Sequence, residues 1–195
     1  MVDYSEEGRK LLAALGVEPG AGHNRSGYHI MDVVWADPAT GGKVYVGNET
    51  AAREADRHPE KISHVVNCTD DLPNYRESNP QMSYLRFNVS YWQSCGGRDF
   101  RRRSDADIAK WLDDTCFAFV DGALARGENV LVHCLAGAHR AGTTGVLILM
   151  HKSGLGAAEA TRAAKQLRPA INPICDFPEL LRLYETTRTA ISATA

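Results

Sequence analysis

Apolar residues follow two different rhythms along the chain. Between Ser104 and Gly127 they recur at spacings of three and four, at Ile108, Trp111, Leu112, Cys116, Phe119, Val120, Ala123 and Leu124. That period lays them along one stripe of a helix. Ser104 stands at its start with Asp107 three residues on, the arrangement of a capping box. Elsewhere the apolar runs are short and rich in β-branched residues. Val44-Tyr45-Val46, His64-Val65-Val66, the segment 84–89 and Asn129-Val130-Leu131-Val132-His133 therefore read as strands.

Further helices are predicted at 5–16, 49–57, 141–152, 157–167 and 177–190. Ser5 is the expected cap of the first, with Glu6 and Glu7 at its positive end and Gly16 closing it. Gly154 and Pro169 limit two others, and Asp176 with Glu179 resembles a capping signal for the last. Residues 17–42 are rich in Gly, Pro, Asn and Asp, with a short strand expected at 30–35. Strands alternating with helices predict an α/β fold, a central mixed and mostly parallel sheet flanked by helices. The expected organisation is an N-terminal extension over 1–42, a helix plus an irregular segment, followed by one domain over 43–190.

Composition narrows the function classes. A chain of 195 residues suits one domain, and 44% hydrophobic with 24% charged residues is an ordinary globular mixture. A net charge of −2 supplies no basic field for nucleic acid. The best candidate apolar run, 146–150, falls far short of the roughly 18 residues a membrane helix needs. The opening Met-Val-Asp-Tyr-Ser-Glu-Glu has no secretory pattern, and neither end carries a lipidation signal, so no membrane anchor is expected. Cysteines 68, 95, 116, 134 and 175 form no C-x-x-C pair, so neither a disulfide framework nor a metal site is expected. A reducing compartment follows, the cytoplasm by default and the nucleus admissible.

Chemistry concentrates between Val130 and Thr143. Strand residues lead into His133-Cys134-Leu135-Ala136-Gly137-Ala138-His139-Arg140, and a helix follows. A small-residue turn at a helix start can aim successive backbone N–H groups into one concavity, where an anion is favoured. Cys134 at its mouth is favoured as a thiolate nucleophile. Arg140 supplies a planar fork for two oxygens of a phosphate, and Gly137 lets the backbone turn tightly. The combination points to phosphoryl transfer through a cysteinyl-phosphate.

His133-Cys134-x-x-Gly137-x-x-Arg140 resembles the signature of cysteine-dependent protein tyrosine phosphatases, of the compact dual-specificity kind. Val44-Tyr45-Val46-Gly47-Asn48, the segment 62–68, and Arg168-Pro169-Ala170-Ile171-Asn172-Pro173 are similar to that family's opening strands and C-terminal segment. The likeness covers about residues 43–187. It implies a protein substrate carrying phosphotyrosine, or phosphoserine and phosphothreonine as well, and no metal or organic cofactor. It also implies phosphate binding by residues 135–139, with His133 ordering the loop by hydrogen bonding and His139 placed to touch substrate.

Two departures from the family stand out. Ala141 replaces the usual Ser or Thr after the signature arginine, which predicts slow hydrolysis of the intermediate. Thr143, two residues along a helix, faces elsewhere. The expected general acid is also displaced: residues 90–92 hold no carboxylate, and Asp99, on the long loop before Ser104, takes the role by position. The alternatives are Asp105, another acid or none, with Asp99 then a solvated carboxylate paired with the neighbouring arginines; Asp105 and Asp107 also suit the helix start. Gly96-Gly97 could hinge that loop. Arg98, Arg101, Arg102 and Arg103 on it favour an acidic or multiply phosphorylated substrate, or form a solvated charge run. Cys68 is either a buried strand-end cysteine or a redox partner of Cys134. Two rival readings are a phosphatase fold that binds phosphorylated partners without turnover, and a rhodanese-like sulfur carrier. The Arg-Pro-x-Ile-Asn-Pro segment does not suit the second.

Overall fold

The computed structural model describes residues 2–17, 28–94 and 104–194. Five strands form one sheet in the order β1-β2-β5-β3-β4. They are β1 (Met31–Ala36), β2 (Lys43–Gly47), β3 (Ile62–Asn67), β4 (Ser83–Arg86) and β5 (Asn129–His133). β1 pairs antiparallel with β2, and the other pairings are parallel. The expected mixed, mostly parallel α/β architecture is therefore present. β1 precedes residue 43, so part of the segment read as an extension is an edge strand of the same sheet.

Alternation along the strands decides which helices cover which face. Val44, Val46, Val66, Val130 and Val132 point to a core shared with α3 (Asp105–Leu112), α4 (Ala118–Leu124), α5 (Arg140–Ser153), α6 (Ala157–Leu167) and α7 (Phe177–Thr194). Tyr45, Val65 and Leu131 face the other way, onto Ala51 and Ala52 of α2 (Glu49–Glu54). Near-continuous apolar strands are what a sheet covered on both faces requires.

Several expectations need correction. The helix predicted from Ser104 does carry the capping box, but a π-helical turn over Asp113–Phe117 separates α3 from α4. The extra residue per turn shifts the stripe, so Phe117 is buried in place of the half-buried Phe119. Phe117 stacks on His151 at 4.3 Å between ring centroids. β4 ends at Arg86 instead of 89, because Val89 enters a short 3-10 helix over Val89–Ser94. The helix predicted over 49–57 is α2 followed by a 3-10 turn at Ala55–Arg57.

The first helix, α1 (Tyr4–Ala14), is capped by Asp3, not Ser5: the Asp3 carboxylate accepts from the Ser5 and Glu6 amides. A charged oxygen satisfies two amides at once and leaves the Ser5 hydroxyl for other work. Likewise Asp176 does not cap α7 through its side chain. Its carboxylate accepts from Tyr4 and Trp92 instead.

Candidate active site

The signature segment leaves the carboxyl end of the central strand β5. Gly47 of β2 and Asn67 of β3 both lie in register with His133 there, the usual place for a ligand site in an open α/β sheet. Cys134 is 3% exposed. Residues 135–139 form the turn that reaches α5, whose first residue is Arg140.

The loop is held from outside by its carbonyl groups. The Glu49 amide donates to Leu135 O (3.2 Å), Tyr28 Oη to Ala136 O (2.6 Å) and the Asn172 amide to Ala138 O (3.0 Å). Arg168, 1% exposed, donates from Nε to Gly137 O (3.0 Å) and from Nη2 to Ala136 O (3.4 Å). Its Nη1 is anchored on Asp32 at 2.7 Å and His29 O at 3.0 Å. With the carbonyls turned outward, the amides of residues 135–139 find no acceptor among the described residues. A peptide plane that aims its oxygen out aims its N–H the other way, so the N–H groups of residues 136–139 face inward, the arrangement that favours an anion.

Gly137 has φ +60°, and a Cβ there would lie 2.5 Å from Gly47 O. Both the left-handed backbone and the contact with β2 require glycine. Arg140 is buried, with Nε unpartnered, while Nη2 donates to Ser5 Oγ at 2.9 Å. Its Nη1 lies 3.9 Å from Asp71. Arg140 is also the residue of the signature that lines a cavity of about 770 Å3, together with Tyr4, Ser5, Asp70, Asp71, Tyr91 and Asp176.

The other candidate residues take varied places. His133 is fully buried, and neither ring nitrogen makes a hydrogen bond among the described residues. Burial, reinforced by Arg86 and Arg140, drives its pKa down to about 3, with only the Cys134 backbone acting the other way. It is thus a neutral ring packed under the loop, next to the Cys134 backbone. His139 is buried and joined through Nδ1 to Asn172 O at 2.8 Å, so it ties the loop to the C-terminal segment.

Thr143 and Thr144 return their hydroxyls to His139 O and Arg140 O, and Ala141 is buried in the core beside them. Cys68 and Cys134 are free thiols at the ends of adjacent parallel strands. Burial pushes the Cys68 thiol up to about 12. Asp99, Cys95, Arg98, Arg101, Arg102 and Arg103 lie outside the described residues. Asp105 is exposed in the first turn of α3. No group of acidic, histidine or cysteine side chains suited to a metal ion occurs among the described residues.

Sequence reasoning missed Arg168 as the loop's clamp, and Ser5 and Asp71 at the cleft. Asp32 in the apolar run 30–34 was the available signal for Arg168, because a carboxylate in a buried strand needs a cation. Nothing in the sequence links Ser5 to Asp71, 66 positions apart.

The family model for "Dual specificity phosphatase, catalytic domain" matches residues 44–187. Dual specificity protein phosphatase Mpk3 of Drosophila melanogaster is 28% identical over 146 residues, 74% of this chain and 33% of that protein. Dual specificity protein phosphatase 9 of Homo sapiens is 32% identical over 132 residues, 64% and 31% of the respective chains. The chain thus spans about a third of the length of these two relatives. A mouse putative dual specificity phosphatase, solved complexed with zinc tungstate, superposes with a TM-score of 0.64 at 25% identity, covering 88% of this chain and 96% of that one. Human DUSP28 gives a TM-score of 0.62 at 24% identity, with 82% and 95% covered. A strand-to-helix turn with cysteine and arginine at its two ends, inside a match that spans most of the sequence, makes this chain a member of the dual-specificity phosphatase family.

Proposed function

We propose that the chain hydrolyses phosphomonoesters on proteins, phosphotyrosine first and phosphoserine or phosphothreonine as well. The observation that carries this reading is the loop after Cys134, with its carbonyls bonded outward and its amides left without acceptors. In the proposed sequence the Cys134 sulfur attacks phosphorus while the residue 135–139 amides and the Arg140 guanidinium hold the non-bridging oxygens. The P–O bond to the substrate breaks, and Asp99 protonates the leaving oxygen. Water, deprotonated by the same carboxylate, then attacks the cysteinyl-phosphate and releases phosphate and the thiolate.

Phosphate release from a phosphotyrosine peptide under reducing conditions tests this assignment. Turnover by the wild type, none by Cys134→Ser and a large drop for Asp99→Ala support it. Absence of turnover and of peptide binding in the wild type refutes it.

A second reading, binding of phosphorylated partners with slow or no turnover, is favoured by one observation. Ala141 offers no hydroxyl to the departing sulfur, and the hydroxyls of Thr143 and Thr144 are both committed to helix carbonyls. A single burst of product followed by a stall would mark this case. Preference for acidic or multiply phosphorylated substrates rests on Arg98, Arg101, Arg102 and Arg103. The free thiols of Cys68, Cys116, Cys134 and Cys175 fit the reducing cytoplasm, with the nucleus equally admissible. No helix among the described residues is long and apolar enough to cross a membrane.

A further inference from the structure

Helix α1 lies before the span matched by the family model, yet its first turn reaches the signature arginine. Ser5 Oγ accepts from Arg140 Nη2 at 2.9 Å and donates to Asp71 Oδ2 at 3.1 Å. Asp71 Oδ1 stands 3.9 Å from Arg140 Nη1, at the limit of an ion pair. The three side chains therefore close a ring in which the hydroxyl separates cation from carboxylate. Arg140 Nε, buried and unpartnered, is left free to donate.

The position of Ser5 is set by packing. Tyr4, one residue before, stacks on Phe177 with centroids 4.6 Å apart and donates to Asp176 at 2.7 Å. One turn later, a Cβ at Gly8 would already sit 3.5 Å from Leu135 and 3.6 Å from Ala136. α1 is thus seated on the outer side of the signature loop, and Asp3 has taken over the capping that would otherwise occupy the serine.

We propose that Ser5 is a positioning residue for Arg140: its hydroxyl holds the guanidinium against the phosphate nest and keeps Asp71 from capturing it. Asp71 and a bound phosphate compete for the same guanidinium. Among the described residues Asp71 is the carboxylate within ion-pair distance of Arg140, and a direct bidentate pair would engage both arms of the fork. Such a pair would divert the fork from a bound phosphate. A serine hydroxyl satisfies both partners at once, donating to the carboxylate and accepting from the guanidinium. This role deepens the phosphatase reading and rests on it.

The test uses the full chain, with vanadate inhibition and peptide KM as readouts. Ser5→Ala should raise KM and weaken vanadate binding by roughly tenfold, about one charge-assisted hydrogen bond, with kcat changed less. Ser5→Thr keeps the hydroxyl and should behave as wild type. Asp71→Asn added to Ser5→Ala should recover most of the lost vanadate affinity, because the competing charge is gone. A general loosening of α1 would not be rescued in this way. Wild-type KM and vanadate affinity in Ser5→Ala would overturn the proposal, as would a gain in affinity, which would make α1 a barrier over the cleft. Failure of the phosphatase reading is seen separately, as a wild type that neither releases phosphate nor binds vanadate.

Discussion

Replacing Arg168 probes whether the loop's outward carbonyls create the site. The guanidinium lies over the Tyr28 ring, 5.0 Å from its centroid, and makes four hydrogen bonds: to Gly137 O at 3.0 Å, Ala136 O at 3.4 Å, His29 O at 3.0 Å and Asp32 at 2.7 Å. They do not count equally. Tyr28 continues to serve Ala136 O, and His29 still pairs with Asp32 at 2.7 Å. His29 is exposed, so water replaces the bond to its carbonyl. Gly137 O is the buried acceptor that is orphaned, at about 1–3 kcal/mol. Breaking a buried ion pair costs about 3–5 kcal/mol, reduced here because the Asp32 side chain is 18% exposed.

Arg168→Ala should therefore lose about 3–5 kcal/mol in all, or roughly 10 °C in Tm for a chain of this size. Arg168→Lys keeps a charge for Asp32 but cannot fork to the loop. It should lose about 1–3 kcal/mol and, more tellingly, vanadate affinity. Thermal unfolding with and without vanadate measures both effects. An Arg168→Lys protein with the wild-type midpoint and full vanadate affinity would refute the claim that this fork orients the amides.

Three further outcomes follow from the same geometry. His133 is held neutral with its pKa down at about 3, while unfolded histidine titrates near 6.5. The unfolded chain then binds the extra proton between those values. Stability contributed by neutral His133 is full above about pH 6.5 and falls on acidification, by up to about 1.4 kcal/mol per pH unit. Urea unfolding at pH 6.5 and 5 should show a shallower fall for His133→Gln; equal slopes would exclude His133 as a source.

Peroxide converts a Cys134 thiolate to a sulfenic acid with loss of hydroxide, and attack by Cys68 then forms a disulfide with loss of water. Since burial holds the Cys68 thiol up at about 12, crosslinking should be slow at pH 7 and faster at pH 9. A mass spectrum without a 68–134 bridge at either pH retires the pair. Finally, Ala141→Ser should accelerate the second chemical step, converting a burst into steady turnover. An unchanged ratio of burst to steady rate would show that Ala141 is not what limits hydrolysis.

What was legible in the sequence was local. Strand β5 showed itself as a short apolar run, and the 3, 4 spacing from Ile108 exposed a helix. The signature loop announced itself because its parts are consecutive: a strand, a turn of small residues, an arginine, a helix. Periodicity failed where backbone geometry changed within an element. It could not foresee the π-helical turn at Asp113–Phe117, which buries Phe117 fully and leaves Phe119 half-buried at the edge of the core. It also misassigned two side chains with competing partners. Ser5 and Asp176 both read as helix caps, yet each is spent on a residue far away in sequence.

Those two misassignments share a cause with a physical consequence. A capping side chain is chosen by the nearest backbone amides, which a sequence can show, but only if no stronger partner competes for it. At the cleft, stronger partners are present. Arg140 draws Ser5, while the Tyr4 hydroxyl and Trp92 indole both donate to Asp176. The result joins three separate elements, α1, the 3-10 segment Val89–Ser94 and the residue before α7, around one side of the signature arginine. The loop is held partly within the matched span, by Gly137, the Glu49 and Asn172 amides and Arg168, and partly from before it, by Tyr28 and by the Asp32 and His29 anchors of Arg168. The support for its arginine comes partly from outside that span, through Ser5. Substitution of Ser5 should therefore alter oxyanion affinity through Arg140, whereas Gly8, packed against Leu135 and Ala136, and Tyr28 bear on the loop itself, so loop formation and arginine placement are separate requirements of the same site.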